Sequence, residues 1–165
     1  MVEIKLNLGC GKRIKKGWIN VDIAKIDGID IVHDLNKFPY PFNDCSVDYI
    51  LLDNVLEHLD NPLAVMNECY RILKNGGKIK INVPHFKYRA AFTDPEHKHF
   101  FTEDTFKHFA NPQKTKHFRY NFRYKIVTLT LYNSLFPKVP IRRIWHSYYF
   151  PIPPTDIECI LEAIK

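Results

Sequence analysis

The stretch that decides the fold is Lys5-Leu6-Asn7-Leu8-Gly9-Cys10-Gly11-Lys12, which is followed by Trp18-Ile19-Asn20-Val21-Asp22. The pattern predicts a buried strand, a glycine turn, and a second strand that ends on a carboxylate. In an α/β sheet the glycines let the backbone approach a ligand, and the carboxylate accepts hydrogen bonds from ribose hydroxyls. These residues therefore predict a nucleoside site.

The spacing of the glycines distinguishes two kinds of nucleoside ligand. A dinucleotide site usually has the pattern G-x-G-x-x-G and binds pyrophosphate at a helix N-terminus. Here the third glycine would fall at position 14, which is Ile14. A ligand with a ribose but no pyrophosphate fits better, and S-adenosylmethionine is the candidate.

A chain of 165 residues with 45% hydrophobic and 25% charged residues is typical of a single globular domain. Its apolar runs are far shorter than the roughly 20 residues that cross a bilayer, so we expect no membrane insertion. The chain begins almost directly with a strand, which leaves no room for a signal peptide. The cysteines are scattered, which fits neither a disulfide framework nor a zinc site and favours a reducing cytoplasm: Cys10, Cys45, Cys69 and Cys159.

The net charge of +6 is unevenly distributed. Residues 1–84 carry 11 basic and 11 acidic side chains, whereas residues 85–149 carry 12 basic and 4 acidic ones. The excess is consistent either with a solvated surface or with an anionic acceptor or partner. Interleaved aromatic residues in the second half would suit stacking on a base or sugar, or would fill the core.

Short apolar runs alternate with helical or loop segments, which predicts an α/β sheet. A helix is predicted from Asn61 to Leu73, because Asn61 can cap it and apolar residues recur at spacings of three or four. Asn75-Gly76-Gly77 is expected to turn the chain into the next strand, and a second helix to start near Thr102. The predicted strands are residues 3–8, 18–22, 29–33, 48–53, 77–83, 122–132 and 156–164.

The simplest assembly is five parallel strands followed by a C-terminal antiparallel hairpin. Only 10 residues lie between Gly11 and Asp22, whereas a crossover between parallel strands usually needs about a dozen or more. The first helix of the fold is therefore expected to shrink to a turn.

Six segments, in order along the chain, give a resemblance to the class I S-adenosylmethionine-dependent methyltransferases, and in particular to small, type 11-like bacterial and archaeal members. Asp94-Pro95-Glu96-His97, followed by Phe100-Phe101-Thr102, is similar to a feature of that subgroup. The six segments are Leu6-Asn7-Leu8-Gly9-Cys10-Gly11, Asn20-Val21-Asp22, His33-Asp34-Leu35, Asp44-Cys45-Ser46-Val47-Asp48-Tyr49-Ile50, Val55-Leu56-Glu57-His58-Leu59 and Arg71-Ile72-Leu73-Lys74-Asn75-Gly76-Gly77.

The resemblance implies a Rossmann-like α/β methyltransferase fold, with a mostly parallel twisted sheet, a C-terminal antiparallel strand and no N-terminal helical cap. Residues 1–165 would form one methyltransferase domain, with a cofactor-binding half (1–84) and a basic, aromatic acceptor-side half (85–165). The implied S-adenosylmethionine-binding residues are Asn7, Gly9, Cys10, Gly11, Asp22, Ile23, Asp34, Leu35, Asp53 and Asn54. Other readings stay open for several of them: Asp34 would cap a turn, Asp53 and Asn54 would be a solvated loop pair, and Cys10 would be a small buried filler.

Methyl transfer needs a general base only if the acceptor must lose a proton. We name His97 first and His85 second, because an imidazole titrates near neutrality and both follow the fifth predicted strand. His85, His97 and His99 lie near one loop and could alternatively form a weak metal site. The His97-x-His99 spacing is not typical of such a site, so we expect no metal. The sequence lacks a Pro-Cys nucleophile after a strand and an Asp/Asn-Pro-Pro-aromatic motif, which disfavours cytosine C5 and exocyclic-amine methylation of DNA.

The predicted function is transfer of a methyl group by in-line displacement to an anionic or planar acceptor, such as a nucleotide, a phosphorylated sugar or RNA. The alternative is a methyltransferase-like binding or regulatory subunit without turnover. A nicotinamide-dependent oxidoreductase is a more distant alternative, which Ile14 disfavours. The aromatic C-terminal part would suit a homodimer contact.

Overall fold

The computed structural model describes residues 2–110, 122–132 and 154–165. Residues 111–121 and 133–153 hold much of the predicted basic, aromatic half and its proline-rich stretch, and they lie outside the described residues. The described strands are β1 (Lys5–Leu8), β2 (Ile19–Asp22), β3 (Ile31–Val32), β4 (Val47–Asp53), β5 (Leu73–Pro84), β6 (Tyr124–Tyr132) and β7 (Asp156–Ala163). The described helices are a 3-10 turn (Leu56–His58), α1 (Pro62–Ile72), α2 (Ala90–Thr93) and α3 (Glu103–Ala110).

The seven strands form one sheet in the order β3-β2-β1-β4-β5-β7-β6. Strands β1 to β5 are parallel, and β7 runs antiparallel to both β5 and β6. The predicted fold class is therefore confirmed, including its C-terminal antiparallel pair. The strand order reverses at β1, so the carboxyl ends of β1 and β4 form the switch point where open α/β sheets bind ligands.

The connection between β1 and β2 contains turns instead of a helix, as the short spacing predicted. Gly9 and Gly11 both have positive φ angles, of 63° and 50°. The next two connections, residues 23–30 and 33–46, are also loops and turns. Helix α1 is thus the single helical crossover of the parallel part, and it joins β4 to β5.

The hydrophobic core lies on one face of the sheet. Alternate strand residues point to this face because the side-chain period of a strand is two. Helices α1 and α3 pack there through apolar side chains, and the Tyr124 hydroxyl donates to the Met66 carbonyl oxygen at 2.9 Å. The buried members of this face include Leu6, Leu8, Ile50, Leu52, Ile79, Ile81, Ile157, Cys159 and Leu161 from the strands, and Val65, Met66, Cys69, Ile72, Phe106 and Phe109 from the helices.

The opposite face of the sheet is polar and half-buried. Parallel sheets usually have both faces covered and read as continuous apolar runs, but β5 and β7 alternate apolar with charged residues. Lys80 on β5 pairs with Glu158 on β7 at 2.7 Å. A groove of about 380 Å³ lies on this face, lined by Glu3, Lys5, Lys15, Trp18, Tyr49, Leu51, Asp53, Lys80 and Asn82. The described part of the fold is therefore a sheet with a helical layer on one side.

The predicted helix boundaries agree with the structure. The Asn61 side chain accepts a hydrogen bond from the Ala64 N–H at 3.1 Å, and α1 ends with Leu73 as its C-terminal cap. Thr102 precedes α3, and its hydroxyl accepts from the Thr105 N–H at 3.3 Å. No described helix is long and apolar enough to cross a bilayer.

Two strand predictions need correction. The fifth strand begins at Leu73, directly after α1, and not at residue 77. The register with β4 shifts between Val47↔Leu73 and Tyr49↔Lys78, so the predicted turn is an irregularity within the paired strand, with Gly76 at φ 77°. The third strand is only Ile31–Val32, an edge strand whose pairing with β2 is limited to Val21↔Ile31 and Asp22↔Val32.

Candidate functional site

The glycine turn lies at the carboxyl end of β1. The Gly9 and Cys10 N–H groups both donate to the Val21 carbonyl oxygen, at 2.8 and 3.2 Å. A Cβ atom on Gly9 would lie 2.6 Å from a Val55 methyl carbon, whereas one on Gly11 would meet no atom within 4 Å. Gly9 is therefore required by close packing, and Gly11 leaves an open side on which a ligand can approach the backbone.

Asp22 ends β2 and is tied to the glycine turn. Its Oδ2 accepts from the Gly11 N–H at 2.7 Å, and its Oδ1 accepts from the Ala24 N–H at 2.9 Å. Each carboxylate oxygen has a second lone pair available for a ribose hydroxyl. The adjacent Ile23 side chain is 67% exposed and offers an apolar surface beside the carboxylate.

Asn7 and Cys10 are buried beneath the glycine turn. The buried Asn7 amide donates to the Arg13 carbonyl oxygen at 2.8 Å and to Asn20 Oδ1 at 3.0 Å, which closes the loop after the glycines. Burial and the neighbouring Asp22 charge raise the pKa of the buried Cys10 thiol, so it stays neutral. In this geometry both residues position the turn.

Asp34 and Leu35 follow β3. Asp34 Oδ1 accepts from the Asn36 N–H at 3.0 Å, and Lys37 lies 3.8 Å away, so the side chain caps a turn. Leu35 is buried, and its carbonyl oxygen accepts from the Tyr40 hydroxyl at 2.9 Å. The structure shows that Asp34 caps a turn, which was one of the two roles that the sequence left open for it.

Asp53 and Asn54 end β4 at the switch point. Asp53 Oδ1 accepts from the Asn82 side-chain amide at 3.0 Å, and the Arg13 guanidinium lies 3.4 Å from Asp53 Oδ2. Asn54 is exposed with φ 53°, and its N–H donates to the Asn82 carbonyl oxygen at 3.0 Å. Sequence reasoning missed Arg13, which links the glycine loop to β4; its position two residues after Gly11 was the available signal.

His85 lies at the end of β5, with 3% of its surface exposed. Its Nδ1 accepts from the Lys87 N–H at 3.1 Å, and its Nε2 lies 3.3 Å from Glu103 Oε2. Burial lowers the pKa of the imidazole, against the opposing effect of Glu103. Nδ1 is thus occupied by the local Lys87 N–H, and Nε2 links the end of β5 to Glu103 on α3, which disfavours the predicted role of His85 as a base.

His97 occupies a different setting. Its Nδ1 lies 2.8 Å from the Ala91 carbonyl oxygen, and its ring meets the His58 ring edge-to-face with centroids 4.7 Å apart. Glu57, His58 and His97 each have one atom that could bind a metal ion, and these three atoms lie within 4.8 Å of one another. The structure therefore joins one predicted catalytic residue to two residues of the segment Val55 to Leu59.

Neither Glu57 nor His58 has a role in the sequence analysis, and Glu57 is the buried member of this group. It is 1% exposed, and neither carboxylate oxygen has a hydrogen-bond partner among the described residues. Burial raises the pKa of this carboxyl to about 7. Its carbonyl oxygen accepts from the Lys98 and His99 N–H groups, which fixes the His97 loop over the 3-10 turn.

The strand order, with a glycine turn after β1 and an acid at the end of β2, gives an α/β sheet of the Rossmann-like methyltransferase type. Residues 6–81 match the family model described as a methyltransferase domain, which runs from β1 into β5. The match covers a little under half of the chain and agrees with the predicted resemblance to the class I S-adenosylmethionine-dependent methyltransferases. Solved structures of the same fold are S-adenosylmethionine-dependent methyltransferases, which agrees with the predicted cofactor.

Individual proteins are similar to parts of this chain. An uncharacterised protein of Methanocaldococcus jannaschii is 34% identical over 81 residues, which are 49% of this chain and 36% of that protein. Demethylmenaquinone methyltransferase of Listeria welshimeri is 32% identical over 66 residues, which are 40% of this chain and 28% of that protein.

A solved S-adenosylmethionine-dependent methyltransferase from Archaeoglobus fulgidus shares the fold, with a TM-score of 0.65 at 20% identity. That match covers 97% of this chain and 86% of the other. By contrast, the chain spans only about a third of the length of the two curated relatives, so their names do not identify its acceptor.

Proposed function

We propose that this chain transfers a methyl group from S-adenosylmethionine to an anionic or planar acceptor. The main support is the hydrogen bond from the Gly11 N–H to Asp22, which joins the glycine turn to the predicted ribose-binding acid on the adjacent strand. The glycine turn follows β1 and Asp53 ends the neighbouring strand β4, at the point where the strand order reverses. Ligands of open α/β sheets bind at this point.

The residues around this point divide the binding task. The open side of Gly11 admits the ligand, and Asp22 accepts from the ribose hydroxyls with its remaining lone pairs. The exposed Ile23 side chain offers an apolar surface for the adenine, with Asp34 and Leu35 at the next strand end. Asp53 and Asn54, at the end of β4, face the reacting end of the cofactor.

S-adenosylmethionine supplies the methyl group on a positively charged sulfur that is already an activated leaving group. The protein therefore mainly orients the acceptor and excludes water. Where the acceptor must lose a proton, His97 is the proposed base. The basic excess of residues 85–149 supports an anionic acceptor such as a nucleotide, a phosphorylated sugar or RNA.

Calorimetric titration with S-adenosylhomocysteine tests the cofactor site. We expect micromolar binding by the wild type and at least about tenfold weaker binding by Asp22→Ala, because the ribose loses its charged acceptor. Asp27→Ala is the matched control, since it removes the same charge from a nearby exposed position. Circular dichroism checks that each variant is folded.

Two outcomes would count against the proposal. A folded wild type that does not bind S-adenosylhomocysteine, or that binds NAD more tightly, contradicts the cofactor assignment. Binding without acceptor-dependent formation of S-adenosylhomocysteine, across nucleotide, sugar-phosphate and RNA acceptors, favours a binding or regulatory subunit.

A further inference from the structure

Glu57, His58 and His97 converge although 38 residues separate the two histidines along the chain. Glu57 and His58 belong to the 3-10 turn after β4, and His97 belongs to the loop before α3. One carboxylate oxygen of Glu57 and one ring nitrogen of each histidine all lie within 4.8 Å of one another. Around a tetrahedral zinc ion with bonds near 2.1 Å, ligand atoms are about 3.4 Å apart. Small side-chain rotations would bring the three atoms to that spacing.

The two histidines are held in the orientation that metal-binding histidines use. His97 Nδ1 lies 2.8 Å from the Ala91 carbonyl oxygen, and His58 Nδ1 lies 3.3 Å from the Glu96 carbonyl oxygen. A carbonyl oxygen can only accept, so each Nδ1 carries a proton, and in the neutral imidazole each Nε2 then presents a lone pair. The Nε2 of His97 also lies 3.8 Å from Asp94 Oδ2. A metal-ligating histidine commonly donates its other N–H to a backbone carbonyl, which fixes the tautomer.

Glu57 provides a second, independent observation. Its side chain is buried, and both carboxylate oxygens are without a hydrogen-bond partner among the described residues. Native proteins rarely leave such a group unsatisfied, because the desolvation is not compensated. A cation held between the carboxylate and the two imidazoles would satisfy it.

We propose that Glu57, His58 and His97 bind one divalent transition-metal ion of the zinc type. Two imidazoles and one carboxylate are a donor set of such ions, whereas magnesium and calcium prefer oxygen ligands alone. Three protein ligands leave a coordination position open, as in catalytic zinc sites. The proposal goes beyond the methyltransferase function and does not depend on it, but it excludes His97 as the base while the ion is bound, because the metal would occupy the Nε2 lone pair.

Metal titration of the tag-free, chelator-treated full chain tests the site. We expect one equivalent of Co²⁺ to give the visible absorption of a tetrahedral centre, and Zn²⁺ to displace it with micromolar or tighter affinity. Mg²⁺ should give no displacement. Glu57→Gln and His97→Gln should each weaken Zn²⁺ binding at least about 100-fold, since losing only an outer-shell partner costs 10- to 100-fold. His99→Gln, a neighbouring histidine outside the group, should bind as the wild type does.

The wild-type titration decides the proposal even if a variant fails to fold. A folded wild type that binds neither Co²⁺ nor Zn²⁺ at micromolar concentrations overturns it. Binding that Glu57→Gln and His97→Gln leave unchanged, or that His99→Gln weakens equally, also overturns it. S-adenosylhomocysteine binding measured on the same samples reports separately on the methyltransferase function.

Discussion

At the scale of single residues, Gly9 shows how the site depends on the absence of a side chain. Its φ of 63° is costly for other residues, and a Cβ would lie 2.6 Å from Val55. We expect Gly9→Ala to lower the free energy of unfolding by about 2–4 kcal/mol, from backbone strain and overpacking together. Denaturant unfolding followed by circular dichroism measures this.

Gly17 is the matched control for that prediction. It also has a positive φ, of 77°, but a Cβ there would meet nothing within 4 Å. Gly17→Ala should therefore cost only the strain, about 1–2 kcal/mol. Equal losses in the two variants would show that the contact with Val55 is not tight.

His85 carries a prediction about pH. Burial lowers the pKa of its imidazole in the folded state below the ordinary value of 6.5. At a pH between the folded and the unfolded pKa of His85, the unfolded chain therefore binds more protons than the folded one. The free energy of unfolding then decreases as the pH falls below about 6.5. Below the folded pKa the loss is complete and levels off.

We expect His85→Asn to lose this part of the acid sensitivity while keeping an acceptor for the Lys87 N–H. Urea unfolding of both proteins between pH 8 and pH 5 isolates the contribution of His85, because the other titrating groups are common to both. The difference in free energy of unfolding should shrink as the pH falls. A difference that stays constant across this range would contradict the buried, neutral state of His85.

At the scale of elements, the start of α1 rests on a side chain that the sequence identified. Asn61 accepts from the Ala64 N–H at 3.1 Å, and Pro62 occupies the first turn. Asn61→Ala should lower the free energy of unfolding by about 1 kcal/mol, because a helix N–H loses its partner. Asn61→Ser keeps a capping oxygen and should cost less than half of that in the same unfolding measurement.

Local patterns explain which elements could be predicted. Short apolar strands, the cap at Asn61 and the Thr102 boundary depend on neighbouring residues alone, so they are readable from the sequence. The start of β5 was missed because Asn75-Gly76-Gly77 consists of residues that are common in turns. In the structure these residues lie within β5, which pairs with β4 on both sides of them. Tertiary pairing is not encoded in a local window.

The candidate site divides in the same way. Gly9, Gly11 and Asp22 follow from spacing within a short stretch, and the structure places them together. The contact of Arg13 with Asp53 and the meeting of Glu57 with His97 join residues 40 apart along the chain. Such contacts depend on where the strands end in the sheet, so residue spacing alone does not reveal them.

At the scale of the whole molecule, the described fold has a helical layer on one face of the sheet and polar side chains on the other. Two adjacent residues of β5 point to opposite faces of the sheet. Ile81 is fully buried in the core, and Lys80 points to the polar face, where it pairs with Glu158. This two-sided character accounts for the alternating charged residues of β5 and β7.

The two faces should respond very differently to truncation. Ile81→Ala should lower the free energy of unfolding by about 2–5 kcal/mol, because it leaves a cavity in the core. Lys80→Ala should cost no more than about 1 kcal/mol, since its ion pair remains partly solvated. Chemical unfolding of the two variants at several protein concentrations checks both values. If Lys80→Ala costs as much as Ile81→Ala, the polar face is covered, and a cost that grows with protein concentration would identify a second copy of the chain as its cover.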